Sequence, residues 1–174
     1  MPLVEMGWNV VGIDLSWPML EAAGQRPIRR MSTGRLALCL APMEQLPIAD
    51  GSVDLVIAHG IWNLARSDRQ FRQAVHAASR AAKPGAGLFV FTFSRHTLSA
   101  RAHPVPGEAY VFTQFSGQKQ CFLTDRQLFE ELGAEKFAAD SAVPLTEYNR
   151  VTARTVQQSG PVIYEAAFRK TAGC

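Results

Sequence analysis

A chain of 174 residues suffices for one domain that buries about 70% of its unfolded surface. Its 47% hydrophobic and 19% charged residues exclude a disordered chain. The net charge of +3 is spread thinly, with Arg29-Arg30 and Arg169-Lys170 the only adjacent basic pairs, which reads as a solvated surface rather than a nucleic-acid footprint.

In chain order, short apolar runs alternate with helical patterns, as expected of an α/β chain with a mostly parallel sheet. Met1 to Gly7 resembles the final turns of a helix. Asn9 to Ile13 reads as a buried strand that stops at Asp14, with Ser16 placed to cap the following helix and Pro18 in its first turn. Leu36 to Leu40 is a second strand, and Val53 to Ala58 a third, introduced by the turn Asp50-Gly51-Ser52. Ser67 and Gln70 have capping-box spacing before a helix that places Phe71, Val75, Ala78 and Ala82 on one face. That helix is expected to end at Lys83-Pro84-Gly85. Leu88 to Phe93 follows as a strand buried on both faces. Arg95 to Phe122 is irregular and too long to be idle, so substrate contacts are expected there. Thr124 and Gln127 form another capping box, opening a helix that packs Leu128, Phe129 and Leu132 and stops at Gly133. Ala138 to Leu145 and Val162 to Phe168 are expected to form a closing antiparallel pair at the sheet edge. No repeat or linker divides the chain, so residues 1–174 are read as one domain.

Cys39, Cys121 and Cys174 share no metal-ligand spacing, and an odd, scattered set suits a reducing cytoplasm. Cys39 is expected to be a buried thiol. The N-terminus lacks the basic start and apolar core of a secretion signal, and no run approaches the ~18 apolar residues of a membrane helix. His96 and His103 lack a third ligand at close spacing, so no metal site is expected. The expectation is a cytoplasmic protein with no membrane or nucleic-acid partner. Its oligomeric state is left open.

Three ordered segments carry a resemblance: VVGIDLS (Val10 to Ser16), APMEQLPIADGSVDLVIAHGIWNL (Ala41 to Leu64) and AAKPGAGLFVFTFS (Ala81 to Ser94), with PVIYEAAFRK (Pro161 to Lys170) near the end. Together they resemble the class I S-adenosylmethionine-dependent methyltransferases of the small-molecule type. The resemblance implies a Rossmann-like three-layer α/β sandwich whose mostly parallel sheet has an antiparallel last strand. It implies S-adenosyl-L-methionine as cofactor and methyl transfer to a small-molecule acceptor that the sequence does not identify. It places Asp14, Leu15, Met43, Glu44, His59 and Gly60 against the cofactor. A carboxylate at a strand tip accepts from both ribose hydroxyls, which is the role read for Asp14; the alternative is a plain turn residue before a helix. Met43 would cover the adenine. Pro42 stands where many relatives carry an aspartate, so adenine recognition falls to backbone or Glu44. His59 has the reach of a general base, against a structural role at a strand end. Gly60 would allow close backbone approach. Trp62 either stacks on a ligand or packs in the core, and Tyr110, Phe112 and Phe115 either line an acceptor pocket or anchor the loop.

The family's first strand and its glycine-rich turn have no counterpart after Met1. A fragment of a longer native chain is the preferred explanation, and a natural short form with a damaged cofactor site the other. Without that strand its two neighbours would lack a ladder partner unless they pair directly. Methyl transfer from a sulfonium is an in-line displacement that needs alignment and exclusion of water more than an acid-base pair. A catalytically degenerate binding protein and an NAD-dependent oxidoreductase are the competing readings, since Asp14 alone does not separate them.

Overall fold

The computed structural model describes residues 2–26, 34–150 and 160–172. Arg29-Arg30 and Cys174 lie outside the described residues. The chain divides at Pro47 into two units, Met1–Pro47 and Ile48–Cys174.

In the first unit, helix α1 (Pro2–Glu5) leads to β1 (Val10–Asp14), helix α2 (Trp17–Gly24) and β2 (Leu36–Leu40). β1 and β2 pair in parallel, Val10 opposite Leu36 and Asp14 opposite Leu40. Each belongs to this one ladder. In so small a sheet the apolar run of β1 does not reach full burial, and Val11 remains 46% exposed. Cys39 on β2 is half-buried rather than buried. Ser16 stands at the N-cap of α2 in extended conformation, but its side chain makes no cap bond. Its backbone N–H instead donates to Asp14 Oδ1 at 2.8 Å. Pro18 sits in the first turn, where its missing N–H costs nothing.

In the second unit, β3 (Val53–His59) and β4 (Ala82–Phe93) pair in parallel around the connecting helix α3 (Asp68–Ala81). α3 is amphipathic: Phe71, Ala74, Val75 and Ala78 are buried along one face. Its Ser67 hydroxyl accepts from Gln70 N–H at 3.1 Å. The reciprocal half of the expected box is redirected, since Gln70 Oε1 accepts from Arg66 N–H at 2.8 Å. The helix ends at Ala81, short of Lys83-Pro84-Gly85, which lies inside β4. There the register jumps: Val53 faces Ala82 and Leu55 faces Gly87. A proline has no N–H for the ladder, so the segment bulges out of it, and Gly85 supplies the positive φ of 81° the bulge requires.

β4 is central, flanked by β3 and by the antiparallel last strand of the sheet, β9 (Ile163–Lys170). It is not equally buried on both faces. Leu88, Val90 and Thr92 are fully buried, while Phe89, Phe91 and Phe93 on the other face are half-buried. The stretch expected to be irregular contains a two-stranded sheet of β5 (Val111–Phe112) and β6 (Gln120–Cys121). Helix α4 (Asp125–Ala134) opens with the complete box expected of Thr124 and Gln127. Leu128 and Leu132 are fully buried, and Phe129 is 38% exposed with its ring 5.6 Å from that of Phe168. The helix runs through Gly133 to Ala134, and the left-handed residue beyond it is Lys136 at φ 64°. The segment 138–145 is not one strand. Two short strands, β7 (Phe137–Ala139) and β8 (Thr146–Tyr148), both pair antiparallel with β9. Among the described residues no helix is long and apolar enough to cross a membrane.

Candidate functional site

In the first unit the expected residues gather at the carboxyl end of the parallel pair. Asp14 ends β1, and its backbone carbonyl accepts from Ala41 N–H, just beyond β2, at 3.1 Å. Gln45 N–H donates to Pro42 O at 3.1 Å, closing a turn that presents Met43 and Glu44. Asp14, Met43 and Glu44 are half-buried, and Leu15 is 67% exposed. One oxygen of Asp14 is committed to Ser16 N–H, which fixes the rotamer. Asp14 is thus a turn residue whose carboxylate keeps one oxygen without a hydrogen bond among the described residues.

In the second unit His59 ends β3. Its ring lies on Phe91 with centroids 4.4 Å apart and planes 9° from parallel. Gly60 has φ 68° and donates its N–H to Phe91 O at 2.8 Å. A side chain there would meet nothing nearer than 3.9 Å, so the glycine serves the left-handed backbone rather than crowding. Trp62 is a core residue, 3% exposed and edge-on to Phe71 at 6.0 Å. Asn63, the next residue of the same quoted segment, is also 3% exposed. Its Oδ1 is buried without a hydrogen-bond partner among the described residues and lies beside Gly60.

The segment after β4 resolves the open choice between pocket and anchor. Tyr110 and Phe112 are anchors, 1% and 3% exposed. Phe115 is 43% exposed and lines a cleft of about 390 Å³ with Thr97, Leu98, Arg101 and Gln114. It is an open surface cleft rather than an enclosed cavity. Arg95 holds the cleft's loop in place, donating to the carbonyls of Leu98, Ser99 and Ala102 and covering the Phe112 ring at 4.8 Å. Asp68 fastens the next stretch, accepting from Ala109 and Tyr110 N–H.

A polar cluster at the end of β4 escaped the sequence reading. Ser94 donates to Glu147 Oε1 at 2.6 Å, and His96 Nδ1 lies 2.6 Å from the same oxygen. Burial works to raise the Glu147 carboxyl, but the hydrogen bonds from Ser94 and His96 and the charge of Arg150 outweigh it and hold it below its ordinary value. The motif Ser94-x-His96 following a strand was the visible signal; Glu147 gave none. Among the described residues no group of three His, Cys, Asp or Glu is placed to hold a metal.

Residues 1–91 match a family profile described as a methyltransferase domain. The chain is 32% identical over 122 residues to the ubiquinone/menaquinone biosynthesis C-methyltransferase UbiE of Geotalea daltonii, covering 64% of this chain and 49% of that protein. With the UbiE of Geotalea uraniireducens it shares 31% over 140 residues, 75% of this chain and 57% of that protein. The chain therefore spans about half the length of these relatives. Among solved structures, an S-adenosylmethionine-dependent methyltransferase from Methanosarcina mazei superposes with a TM-score of 0.72 at 17% identity, covering 99% of this chain and 86% of that one. The 1,6-didemethyltoxoflavin-N1-methyltransferase of Burkholderia thailandensis, solved with S-adenosylhomocysteine, gives 0.63 at 14% identity, covering 94% and 62%. At such identities these likenesses establish the fold, and it is the Rossmann-like fold expected. With the match over residues 1–91, they show that the chain belongs to the methyltransferase domain family, within the class I S-adenosylmethionine-dependent methyltransferases.

Proposed function

We propose that this chain binds S-adenosyl-L-methionine and transfers its methyl group to a small aromatic acceptor, a hydroquinone-type ring methylated at carbon. The observation that carries the cofactor half is the carboxylate of Asp14 at a strand tip, one oxygen fixed by Ser16 N–H and the adjacent Pro42–Gln45 turn tied to its carbonyl through Ala41. Parallel strands present ligand-binding groups at this end. Asp14 takes the ribose hydroxyls, Leu15 and Met43 supply apolar cover, and Glu44 with its turn reads the adenine. In the second unit His59 and Gly60 are the cofactor-binding candidates, and the segment after β4 receives the acceptor. Its open cleft has an aromatic wall at Phe115. The carbon acceptor is suggested by the relatives, which are named as C-methyltransferases of quinone biosynthesis.

The cofactor supplies a methyl on a positively charged sulfur, a group already activated for transfer. What remains for the protein is to align the acceptor, exclude water and take up a proton. The test is incubation of the protein with tritium-labelled methyl donor and 1,4-naphthohydroquinone, followed by organic extraction. Label in a methylated hydroquinone, abolished by Asp14→Ala, is expected. No transfer, together with saturable NAD binding, would overturn the reading in favour of an oxidoreductase.

A further inference from the structure

β4 outruns its parallel neighbour. His59, the last residue of β3, is opposite Phe91, and β4 continues to Phe93 before turning through Ser94 to Thr97. The carboxyl end of β4 thus leads into Ser94-Arg95-His96, immediately before Thr97, which lines the cleft. Ser94 is fully buried. Its hydroxyl donates to Glu147 Oε1 at 2.6 Å and accepts from His96 N–H at 3.1 Å, fixing the backbone that carries the imidazole. His96 Nδ1 sits 2.6 Å from Oε1, and Arg150 Nη1 donates to the other carboxylate oxygen at 3.1 Å.

An ionised carboxylate only accepts, so Nδ1 bears the hydrogen and Nε2 is the basic atom of the neutral ring. The His96 side chain is 46% exposed and the Glu147 side chain 15%. A largely buried carboxylate therefore orients an accessible base, as the third group does in nucleophile and base constellations generally. His59 is held differently: its ring rests flat on Phe91, a packing contact that selects no tautomer. Among the described residues Tyr164 on β9 also faces Glu147, and Tyr164 in turn interacts with Asp125 at the start of α4.

Resting on the methyl-transfer reading above, we propose that His96 is the base that takes the acceptor's proton and that Glu147 is its positioning residue. The balance is simple. As the ring carbon attacks, the methyl carbon's bond to sulfur breaks with the electron pair leaving on sulfur, and the hydroxyl proton of the hydroquinone passes to Nε2. The methylated ring regains aromaticity by moving its C–H proton to that oxygen. One proton leaves the acceptor, and the imidazolium that holds it is compensated by Glu147.

Long-range proton–nitrogen NMR on protein labelled at histidine nitrogen reads the tautomer at alkaline pH, with His96→Gln assigning the signal. The Nδ1–H form is expected in the wild type and a mixture of tautomers in Glu147→Gln. An Nε2–H form in the wild type overturns the proposal. Calorimetric titration of the same samples with S-adenosylmethionine separates the two readings. A wild type that does not bind fails the methyltransferase reading, whereas binding with an Nε2–H tautomer fails the His96 assignment alone. In transfer to 1,4-naphthohydroquinone, His96→Gln is expected to lower kcat about 10²–10⁴-fold. Its acid limb of the pH profile should vanish while cofactor affinity stays unchanged. Undiminished kcat with an unaltered pH profile would also overturn the assignment.

Discussion

Replacing Asp68 with alanine perturbs the fastening of the segment that follows the cleft. Asp68 is 8% exposed at the first turn of α3, and its carboxylate accepts from Ala109 N–H and, at 3.3 Å, from Tyr110 N–H. Its own N–H donates to Glu108 Oε2 at 2.7 Å. In Asp68→Ala both donors lose their acceptor. Ala109 is exposed, so water takes its place at a net cost of about 0.5–1.5 kcal/mol. Tyr110 is 1% exposed, so its N–H carries the desolvation penalty of about 1–3 kcal/mol. Against this, burial pushes the Asp68 carboxyl up, the two backbone N–H groups oppose that, and the Glu108 charge adds to it. Removing the carboxylate relieves that burden, leaving an expected loss of about 2 kcal/mol. Urea unfolding measures it, and amide exchange at Tyr110 and Val111 should quicken. Asp68→Asn, which keeps one acceptor, should lose less. The sign with pH also follows: the folded carboxyl holds its proton more tightly than the unfolded one, so its contribution is full below its unfolded value and declines as pH rises through the folded value. A change under about 0.5 kcal/mol with unaltered exchange would refute the reasoning.

Two further outcomes are expected. Gly60→Ala places a Cβ in ordinary contact, no nearer than 3.9 Å to Asn63 and Phe91, but in a left-handed backbone, a cost of about 1–2 kcal/mol seen as a thermal midpoint lower by a few degrees. An unchanged midpoint would mean the turn relaxes. Glu147 has a folded pKa held below its unfolded value, so its contribution is complete above the unfolded value and is lost as pH falls through the folded one. Glu147→Gln should therefore flatten that acid portion of the stability profile measured by urea unfolding, and a profile identical to wild type would contradict the assigned shift.

Local chemistry made much of this fold readable. The apolar runs gave β1 and β2 to within a residue, because the carboxylate of Asp14 ends the first and Pro42, which has no N–H for a ladder, closes the second. Thr124 and Gln127 marked α4 because a capping box is satisfied within four residues. Lys83-Pro84-Gly85 misled, since a proline that would break a helix is equally accommodated as a bulge in a strand, and register against Val53 and Leu55 decided it. Burial of β1 was over-read because it depends on how many strands share the ladder, which no run of residues reports. The site divides the same way. Asp14, Met43, Glu44, His59 and Gly60 were nameable as candidates from an ordered set of short motifs, and the strand ends place Asp14 and His59. The Ser94, His96 and Glu147 cluster was not, because β8 meets β4's end only through their shared partner β9. Asn63 lay within a quoted motif, but nothing in its neighbours tells that its amide oxygen is buried without a partner among the described residues.

The most direct measurement is an equilibrium titration of wild type and Asp14→Asn with S-adenosylmethionine, followed by backbone amide shifts. Asparagine keeps an acceptor for Ser16 N–H but loses the charge, so the turn survives while a charge-assisted hydrogen bond worth about 1.5–3 kcal/mol is lost. The account predicts saturable shifts at residues 14–15 and 43–44 in the wild type, and affinity roughly 10- to 150-fold weaker in the variant. Equal affinity in both proteins, or saturation without movement at residues 14 and 15, would contradict it.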